Sequence, residues 1–364
     1  MVYTNSSINT FLICNRKYYY RYIRNLRKRE ERPDSALRYG IASHMVFESL
    51  LLGKDTKLIA EAVAIQFSRW LANATTEEAD DIRTECASVL GMMMAYKKVW
   101  AAQTAQMQVI FTEHVFSLNF DEFCIKGKID AAVRINGEIV LMEHKTALRA
   151  ADEYFFALDI DNQISIYTAA MTDMGLEPSY TLYNVVQKPG LSLVNVPVLD
   201  ENGDKIVNDA NGKRVYTQRG KPRQTASKEE GYTLATTIES YPDHTKRVYE
   251  TMLADPDKYF MRRPINRLSS QIHDCFGEIA NIHHRIASAP DRPSCWPRNK
   301  AACTQWGRMC PYYGFCRANT MEPQGDDFET IKNPHTELEE ERSTILAKEG
   351  GQGVGGLDKE AWPM

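Results

Sequence analysis

Long apolar runs are missing from this sequence of 364 residues. No window approaches the ~18 consecutive apolar residues of a transmembrane helix, so we expect no membrane span. The start, MVYTNSSINTFLIC, is not basic and has no long apolar stretch before a small-residue cleavage site. We therefore expect no signal peptide and a cytoplasmic protein. We also find no internal repeat, and so expect no array of repeated units.

Neither sign of charge predominates, because 44 Lys and Arg stand against 48 Asp and Glu. The net charge of −4 excludes a globally basic nucleic-acid coat, so any site for a polyanion must be a local patch. The hydrophobic fraction of 43% excludes disorder across the whole chain. Eight cysteines in a reducing compartment indicate free thiols or metal ligands rather than disulfides.

The order of patterns predicts helices before and after a mixed sheet, which is an α/β or α+β fold. Apolar spacing predicts a helix from Ser6 or Ser7 to about Leu26, then helices over 42–52 and 61–103. Four β-rich runs follow, with a polar helix before the last of them. Residues 240–288 again have a helical pattern, with one apolar stripe that begins at Ile265.

Two segments stand apart from this pattern. Residues 196–231 contain the turn-like runs ENGDK and DANGK and few core-forming residues, which predicts a protruding hairpin or mobile insertion. Residues 321–364 are acidic and then Gly-rich, which predicts a disordered tail. We therefore expect one domain over 1–320, interrupted by the insertion.

The segment GKIDAAVRINGEIVLMEHKTA carries the clearest chemical signal. Its Asn-Gly pair between two apolar strands predicts a two-residue type I′ hairpin turn. Counting outward from the turn places Asp130 opposite Glu143 on one face, with Cβ atoms about 5 Å apart. Lys145 points to the same face because strand side chains alternate. These three residues are surrounded by apolar positions, so the strands are expected to be buried.

Two facing carboxylates in a buried sheet repel each other unless a positive charge lies between them. Oxygen ligands in such a cluster suit Mg²⁺ or Mn²⁺, which would support phosphodiester hydrolysis. Lys145 could orient the attacking water or offset charge in the transition state. The alternative is a surface hairpin in which Asp130, Glu143 and Lys145 form a cross-strand salt bridge.

An Asp on one strand and Glu-x-Lys on the next resemble the PD-(D/E)XK nuclease superfamily. GIASHMVFESLL, FTEHVF and QISIY are similar to motifs of its RecB-like exonuclease branch, which includes AddB-type, CRISPR-associated and phage-type members. The resemblance implies a restriction-endonuclease-like mixed sheet flanked by helices. It departs from the family pattern at Ile129, which replaces the Pro of the Pro-Asp dipeptide, and at Glu143, where close relatives usually have Asp.

The resemblance also implies roles for individual residues. His44 would be a metal ligand beside Asp130 and Glu143, and the peptide carbonyl of His144 would face the same ion. Glu113 matches an acidic position often seen there. The catalytic set that it implies consists of Asp130, Glu143, Lys145, Gln163 and Tyr167, of which the last two would lie beside the DNA backbone. Taken alone, His44 could be a structural helix histidine, and Gln163 and Tyr167 an ordinary amphipathic pair.

Cys303, Cys310 and Cys316 lie within fourteen residues, and Cys14 lies near the start. In RecB-like nucleases one N-terminal and three C-terminal cysteines hold a [4Fe–4S] cluster, so the resemblance implies that this cluster joins the two ends of the chain. Four thiolates suit either an iron–sulfur cluster or zinc. Buried free cysteines are the alternative, and Cys295 could replace Cys14.

A basic, tyrosine-rich run follows Cys14. Positive side chains bind phosphates and tyrosines stack on unpaired bases, although a charge run is often only a solvated face. The predicted DNA contacts are Arg16, Lys17, Tyr20, Arg21 and Arg24. The basic residues of the insertion could form a second contact.

The resemblance implies a Mg²⁺- or Mn²⁺-dependent DNA exonuclease for recombination, repair, phage DNA processing or CRISPR adaptation, in bacterial or phage-infected cytoplasm. It would act on DNA, with a protein partner from one of those pathways. The alternative is a non-catalytic DNA-binding or scaffold subunit that keeps the fold and the cluster. The presence of Asp130, Glu143 and Lys145 argues against this alternative, because a scaffold has no need of them.

Overall fold

The computed structural model describes residues 1–29, 33–150, 152–320, 327–335 and Leu338. The chain folds into two compact units. The first unit comprises Met1–Lys54, Ala101–Gln187 and Phe260–Met364, and the second comprises Asp55–Trp100 and Lys188–Tyr259. The insertion that the sequence predicts at 196–231 lies in the second unit.

A six-stranded mixed sheet forms the centre of the first unit. Its strands are β1 Val2–Tyr3, β3 Gln108–Asn119, β4 Cys124–Ile135, β5 Glu138–Ala147, β6 Tyr180–Gln187 and β11 Phe260–Ile265. Their order is β1-β4-β5-β6-β11, with β3 also paired to β4. The pairs β1–β4 and β5–β6 are parallel and the other pairs are antiparallel, which confirms the predicted mixed sheet.

The β4–β5 hairpin has the predicted register. Asn136 and Gly137 both have positive φ, at 51° and 89°, as a type I′ turn requires, and Ile135 pairs with Glu138. The ladder continues outward to the pair Ala131–Met142. Beyond it the same edge of β4 pairs with β1, at 124–125, while β3 occupies the opposite edge. The edge of β4 therefore opens next to Asp130.

Seven helices of the first unit are described. They are α1 Asn5–Ile13, α2 Asn15–Tyr18, α3 Ser35–Leu51, α6 Asp152–Phe156, α7 Asn162–Asp173, α10 Ser269–Ala287 and α11 Tyr313–Ala318. One hydrophobic cluster joins Ile129 and Leu141 of the sheet to Tyr167 of α7 and Ile279 of α10. The apolar side chains of the other face, such as Met142, pack with the end of α3. Helices thus cover both faces, as expected for an α/β fold.

The N-terminal helix differs from the prediction. Thr4, rather than Ser6 or Ser7, caps α1, and Ser7 completes the capping box. The helix ends at Cys14, whose backbone is extended (φ −161°, ψ 110°), and α2 then begins at Asn15. A π-helical turn at Tyr19–Ile23 and the short strand β2 Leu26–Lys28 follow. The single helix predicted to reach Leu26 is therefore wrong.

The predicted helix over 240–288 is also interrupted. Phe260–Ile265 form strand β11 because they pair along β6, from Phe260–Val186 to Ile265–Thr181. Pro264 lies in this strand at the edge of the sheet, a position where proline costs no ladder hydrogen bond on its outer side. Ile265 and Leu268 therefore precede α10 instead of beginning its apolar stripe.

The second unit contains helices and short hairpins. Its helices are α4 Thr56–Leu71, α5 Thr76–Thr104 (of which residues up to Trp100 belong to this unit), α8 Tyr241–Ala254 and α9 Pro256–Tyr259. Its strands are β7 Asn195–Pro197, β8 Val207–Asn208, β9 Thr233–Leu234 and β10 Thr236–Ile238. The segment 196–231 is a series of short hydrogen-bonded hairpins, with bridges such as Asn208–Arg214 and Tyr216–Pro222.

Part of the acidic tail is ordered. Within the segment that we expect to be disordered, Phe328–Thr330 instead form strand β12, which pairs antiparallel with β2. The rest of the predicted tail lies outside the described residues, Leu338 and residues 327–335 excepted. Among the helices of the described chain, none is long and apolar enough to cross a membrane.

Candidate metal-dependent nuclease site

Asp130 lies where the β4–β5 ladder ends, and its carboxylate makes two contacts across the opening. Oδ2 accepts a hydrogen bond of 2.8 Å from the backbone N–H of His144 on β5. Oδ1 lies 3.3 Å from Nδ1 of His44 on α3. The carboxylate thus accepts the backbone hydrogen bond that β4 would otherwise accept at the next step of the ladder. It also links β5 to α3.

Glu113 of β3 forms the third part of this cluster. It is one of few non-glycine residues with positive φ (47°), a conformation that costs of order 1–3 kcal/mol and is commonest at functional sites. Its carboxylate lies 2.7 Å from the Lys128 ammonium. Ligand atoms of His44, Glu113 and Asp130 all lie within 4.8 Å of one another, which is compatible with a shared metal ion.

Glu143 and Lys145 form an adjacent hydrogen-bonded pair on β5. Glu143 is 2% exposed, and its Oε1 accepts hydrogen bonds from Lys145 Nζ and from Gln163 Nε2, the latter at 2.9 Å. Its Oε2 is buried and has no hydrogen-bond partner among the residues that the structure describes. A buried, unpartnered carboxylate oxygen is costly unless a cation or water binds it.

The electrostatics of the cluster shift the pKa values of its two acids, Asp130 and Glu143, in opposite directions. Burial raises the pKa of both, but interactions with His44, His144 and Lys145 outweigh it at Asp130, whose pKa is well below its usual range. Burial and the Asp130 charge raise the pKa of Glu143 to about 8. Burial alone would lower the pKa of Lys145, yet the Glu143 and Asp130 carboxylates raise it well above normal. Lys145 is therefore a firmly held cation.

His144 is a buried, neutral side chain of β5 that packs against α3. Burial lowers its pKa to about 3. Its Nδ1 lies 2.9 Å from the Asn184 amide and its ring stacks on Phe47, with centroids 5.0 Å apart. Because N–H and C=O of one strand residue point to the same edge, the His144 carbonyl faces the side of Asp130.

Tyr167 packs beside this cluster from α7. Its ring contacts Phe116 edge-on, with centroids 5.5 Å apart, and it is 8% exposed. Burial raises its pKa and the nearby Glu143 charge adds to the shift, so the phenol stays protonated. Gly127 makes this packing possible, because a Cβ there would lie 2.7 Å from the Phe116 ring and 3.3 Å from that of Tyr167.

The predicted site residues thus come together in two adjoining groups. His44, Asp130 and Glu113 form the group of possible metal ligands, while Glu143, Lys145 and Gln163 form a hydrogen-bonded group beside it. Carboxylate oxygens with one imidazole fit Mg²⁺ or Mn²⁺, and the unpartnered Glu143 oxygen fits a cation as well.

A sequence profile of the PD-(D/E)XK nuclease superfamily matches residues 3–317. The chain belongs to the PD-(D/E)XK nuclease superfamily. The His44–Glu113–Asp130 group provides a place where this chain could hold a metal ion.

Comparison with individual proteins adds little to this family assignment. No curated protein sequence matches the chain significantly. A solved structure entitled "Crystal structure of SSO0001" is 15% identical, with a TM-score of 0.20, over 36% of this chain and 63% of that one. The match thus spans less than two thirds of that protein, and a likeness of this strength supports no argument.

The four predicted cluster cysteines of this PD-(D/E)XK chain line one cavity. Cys14 reaches it from the break between α1 and α2, and Cys303, Cys310 and Cys316 reach it from the C-terminal segment. The lining also includes three basic residues, Arg16, Lys17 and Arg298. Burial raises the pKa of Cys310 and of Cys316, so these thiols are protonated until a metal binds.

Cys295 does not line this cavity. Its Sγ lies 3.0 Å from the Arg292 Nε, in the 3₁₀ turn Pro293–Cys295. The alternative in which Cys295 replaces Cys14 is therefore not supported by the geometry.

Two residues of the basic run after Cys14 are buried, although the prediction places them at a DNA-binding surface. Arg16 is 5% exposed and donates to the Trp296 carbonyl, and Tyr20 is fully buried with its hydroxyl bonded to the Thr320 carbonyl. Neither side chain can reach DNA in this fold, so contact by Arg16 and base stacking by Tyr20 are wrong. They hold the two ends of the first unit together instead.

The other three residues of that prediction are partly exposed. Lys17 lines the cysteine cavity, Arg21 lies over the Tyr22 ring at 5.4 Å, and Arg24 pairs with Asp291 at 3.2 Å. Their role in binding DNA stays a prediction.

Proposed function

We propose that this nuclease is a Mg²⁺- or Mn²⁺-dependent DNA exonuclease. The observation that carries the proposal is the pair of adjoining groups around Asp130 and Glu143, in which three carboxylates, one imidazole and one lysine converge on the open edge of β4. Exonuclease rather than endonuclease action rests on the similarity of the His44, Gln163 and Tyr167 motifs to the RecB-like branch.

The first role of the site residues in this proposal is to bind the metal ion. Asp130, His44 and Glu113 would hold the ion, and Glu143 and the His144 carbonyl would add further oxygen ligands. A divalent ion bound there would polarise the scissile phosphate and make a bound water more acidic.

Lys145 acts as a cation rather than as a base. Because its pKa is raised, it keeps its proton at neutral pH and can donate hydrogen bonds to the attacking water or to the phosphate oxygens. Gln163 holds Glu143 in place through its 2.9 Å hydrogen bond, and the protonated Tyr167 provides a donor on the same side of the sheet for the scissile strand. Positioning and charge stabilisation are thus the contributions of this chain.

The four cysteines are proposed to hold a [4Fe–4S] cluster. Tetrahedral zinc with bonds of about 2.3 Å would bring its sulfurs within about 4 Å of one another. Among the described residues, however, no three of these sulfurs lie within 4.8 Å of one another. A four-iron cluster places each thiolate on a different iron and so suits a wider arrangement. Arg16, Lys17 and Arg298 would offset its negative charge. Zinc remains the alternative, and a brown colour distinguishes the cluster from it.

The RecB-like resemblance supports a role in recombination, repair or phage DNA processing. Each of these roles needs controlled degradation of DNA from an end. A protein partner in the same pathway is part of this proposal.

Digestion of end-labelled and internally labelled linear DNA with Mn²⁺ tests the function. We expect mononucleotides or short products to appear from the ends, no products in EDTA, and a loss of at least ~100-fold in Lys145→Ala. Lys98→Ala, an exposed lysine on α5, is the control for the loss of one charge. Equal activity in Lys145→Ala would overturn the catalytic assignment. DNA binding without cleavage would favour the scaffold alternative.

A further inference from the structure

Three consecutive turns of the second unit share one backbone design. In each, a residue with a side-chain oxygen begins the turn, a glycine with positive φ ends it, and the two are linked by a backbone hydrogen bond of 2.9–3.0 Å. The pairs are Asp200–Gly203, Asp209–Gly212 and Thr217–Gly220. The first oxygen also accepts backbone N–H groups of its own turn. The expectation of no internal repeat is therefore wrong for this segment.

The turns lie side by side in a ladder. The N–H of Val215 donates to the Val207 carbonyl at 2.8 Å, and the N–H of Arg223 donates to the Val215 carbonyl at 3.1 Å. Strands paired in this way are about 4.8 Å apart. Residues at equivalent positions of neighbouring turns, such as Lys213 and Lys221 directly after the glycines, therefore form a row.

The net charge of the turns becomes more positive from the first to the third, although their backbone conformation stays the same. The first turn, residues 200–206, has three acids and one lysine, and the second, residues 209–215, has one acid and two basic residues. The third, residues 217–223, has three basic residues and no acid. Because the design is the same in each turn, the fold itself does not require this change of charge.

Salt bridges neutralise only some of these cations. Arg214 pairs with Asp200 at 2.5 Å, and Arg223 pairs with Glu230 while lying 4.8 Å from the Tyr232 ring centroid. Lys213, Arg219 and Lys221 are exposed, and none of them has an acidic partner within 4.0 Å among the described residues. Three unneutralised cations on two neighbouring turns form a patch suited to a polyanion.

We propose that the second and third turns bind the phosphate backbone of the nuclease's DNA through Lys213, Arg219 and Lys221. The identity of the polyanion rests on the proposed function, whereas the patch itself does not. Phosphate contacts of this kind are independent of sequence and would hold the substrate without reading its bases.

Salt-dependent DNA binding by the metal-free protein tests the proposal. The variant is Lys213→Gln with Arg219→Gln and Lys221→Gln, measured by fluorescence anisotropy with labelled duplex and single-stranded DNA in EDTA. Each lost phosphate contact lowers the slope of log K against log salt by about 0.9 on duplex DNA, so three contacts lower it by about 2.7. At 0.1 M salt this corresponds to a loss of affinity of up to about 500-fold.

A matched control changes the net charge equally. Lys57, Arg69 and Lys98 are exposed cations on α4 and α5 of the same unit, and their triple Gln variant also removes three charges. We expect its slope to equal that of the wild type. Thermal unfolding monitors folding, which should be unchanged because the turn oxygens and glycines stay in place.

The outcomes separate this proposal from the nuclease proposal. A weaker affinity and a shallower slope only in the turn variant support it, even if no cleavage is ever seen. Equal binding by the turn variant and the wild type, or equal losses in both triple variants, overturns it. Normal Mn²⁺-dependent cleavage alongside unchanged binding would leave the nuclease proposal intact and remove this one.

Discussion

Glu143 and His144 are neighbours in β5 whose pKa shifts oppose each other in their effect on stability. Burial raises the pKa of Glu143 from 4.5 to about 8 and lowers that of His144 from 6.5 to about 3. A raised carboxyl pKa contributes stability below pH 4.5 that is lost as the pH rises through about 8. A lowered histidine pKa contributes stability above pH 6.5 that is lost as the pH falls towards 3.

The pH dependences of stability due to Glu143 and His144 cancel between pH 4.5 and pH 6.5, which are their unfolded-state pKa values. Above pH 6.5 only the contribution of Glu143 changes with pH. From pH 4.5 to 6.5 the folded protein without metal holds an extra proton on Glu143 and lacks one on His144, so stability is flat. From pH 6.5 to 8 only Glu143 contributes, at about 1.4 kcal/mol per pH unit, which gives a loss of about 2 kcal/mol. The shifts of Asp130 and Lys145 act at lower and higher pH.

Urea unfolding of the wild type and Glu143→Gln in EDTA, from about pH 5 to about pH 8, measures this difference. We expect the wild type to lose about 2 kcal/mol above pH 6.5 and Glu143→Gln to lose none, because Gln keeps the acceptor for Lys145 but cannot ionise. Mn²⁺ should restore the wild type at the higher pH, because it binds the ionised carboxylate. Parallel pH profiles of the two proteins would refute the assignment of a buried, metal-seeking Glu143.

Two further pairs of variants, each a test variant and its control, probe the packing and the cysteine cavity. Gly127→Ala should cost about 1–3 kcal/mol and lower kcat, because its Cβ would displace Phe116 and Tyr167. Gly277→Ala in α10, with nothing within 4 Å of its Cβ, should instead stabilise by up to ~1 kcal/mol; equal unfolding of both variants would contradict this. Cys310→Ser should bleach the visible absorption of the purified protein and lower its melting temperature, whereas Cys86→Ser in α5 should keep the absorption. Unchanged absorbance in Cys310→Ser would remove the cluster assignment.

Local sequence was sufficient to predict the β4–β5 hairpin. An Asn-Gly turn requires positive φ at both residues, and this fixed the register of every pair out to Ala131–Met142. The approach of Asp130 to His144 lies beyond that ladder and depends on where the strands part. Nothing in the sequence of β3 indicates the positive φ of Glu113, which is not a residue that favours it.

Long-range packing accounts for most of the wrong predictions. Tyr20 resembles an exposed tyrosine in a basic run, but Tyr312 and Phe315, nearly 300 positions later, enclose it. Residues 260–265 become a strand because β6 offers them a partner. The repeated turns share an initial side-chain oxygen, a glycine three positions later and a lysine after that glycine, a pattern short enough to be mistaken for separate turns.

The pairing of the two chain ends has a consequence for how this protein is made. Val2 and Tyr3 pair with β4, and Cys14 shares its cavity with residues that come almost 300 positions later. At about 5–20 residues per second, the N-terminal segment must wait of order 15–60 s on the ribosome before its last partners emerge. During that interval its buried tyrosines are exposed to solvent. This unit can therefore be completed only after Cys303, Cys310 and Cys316 have been synthesised, and a chain truncated before Cys303 cannot complete the cavity.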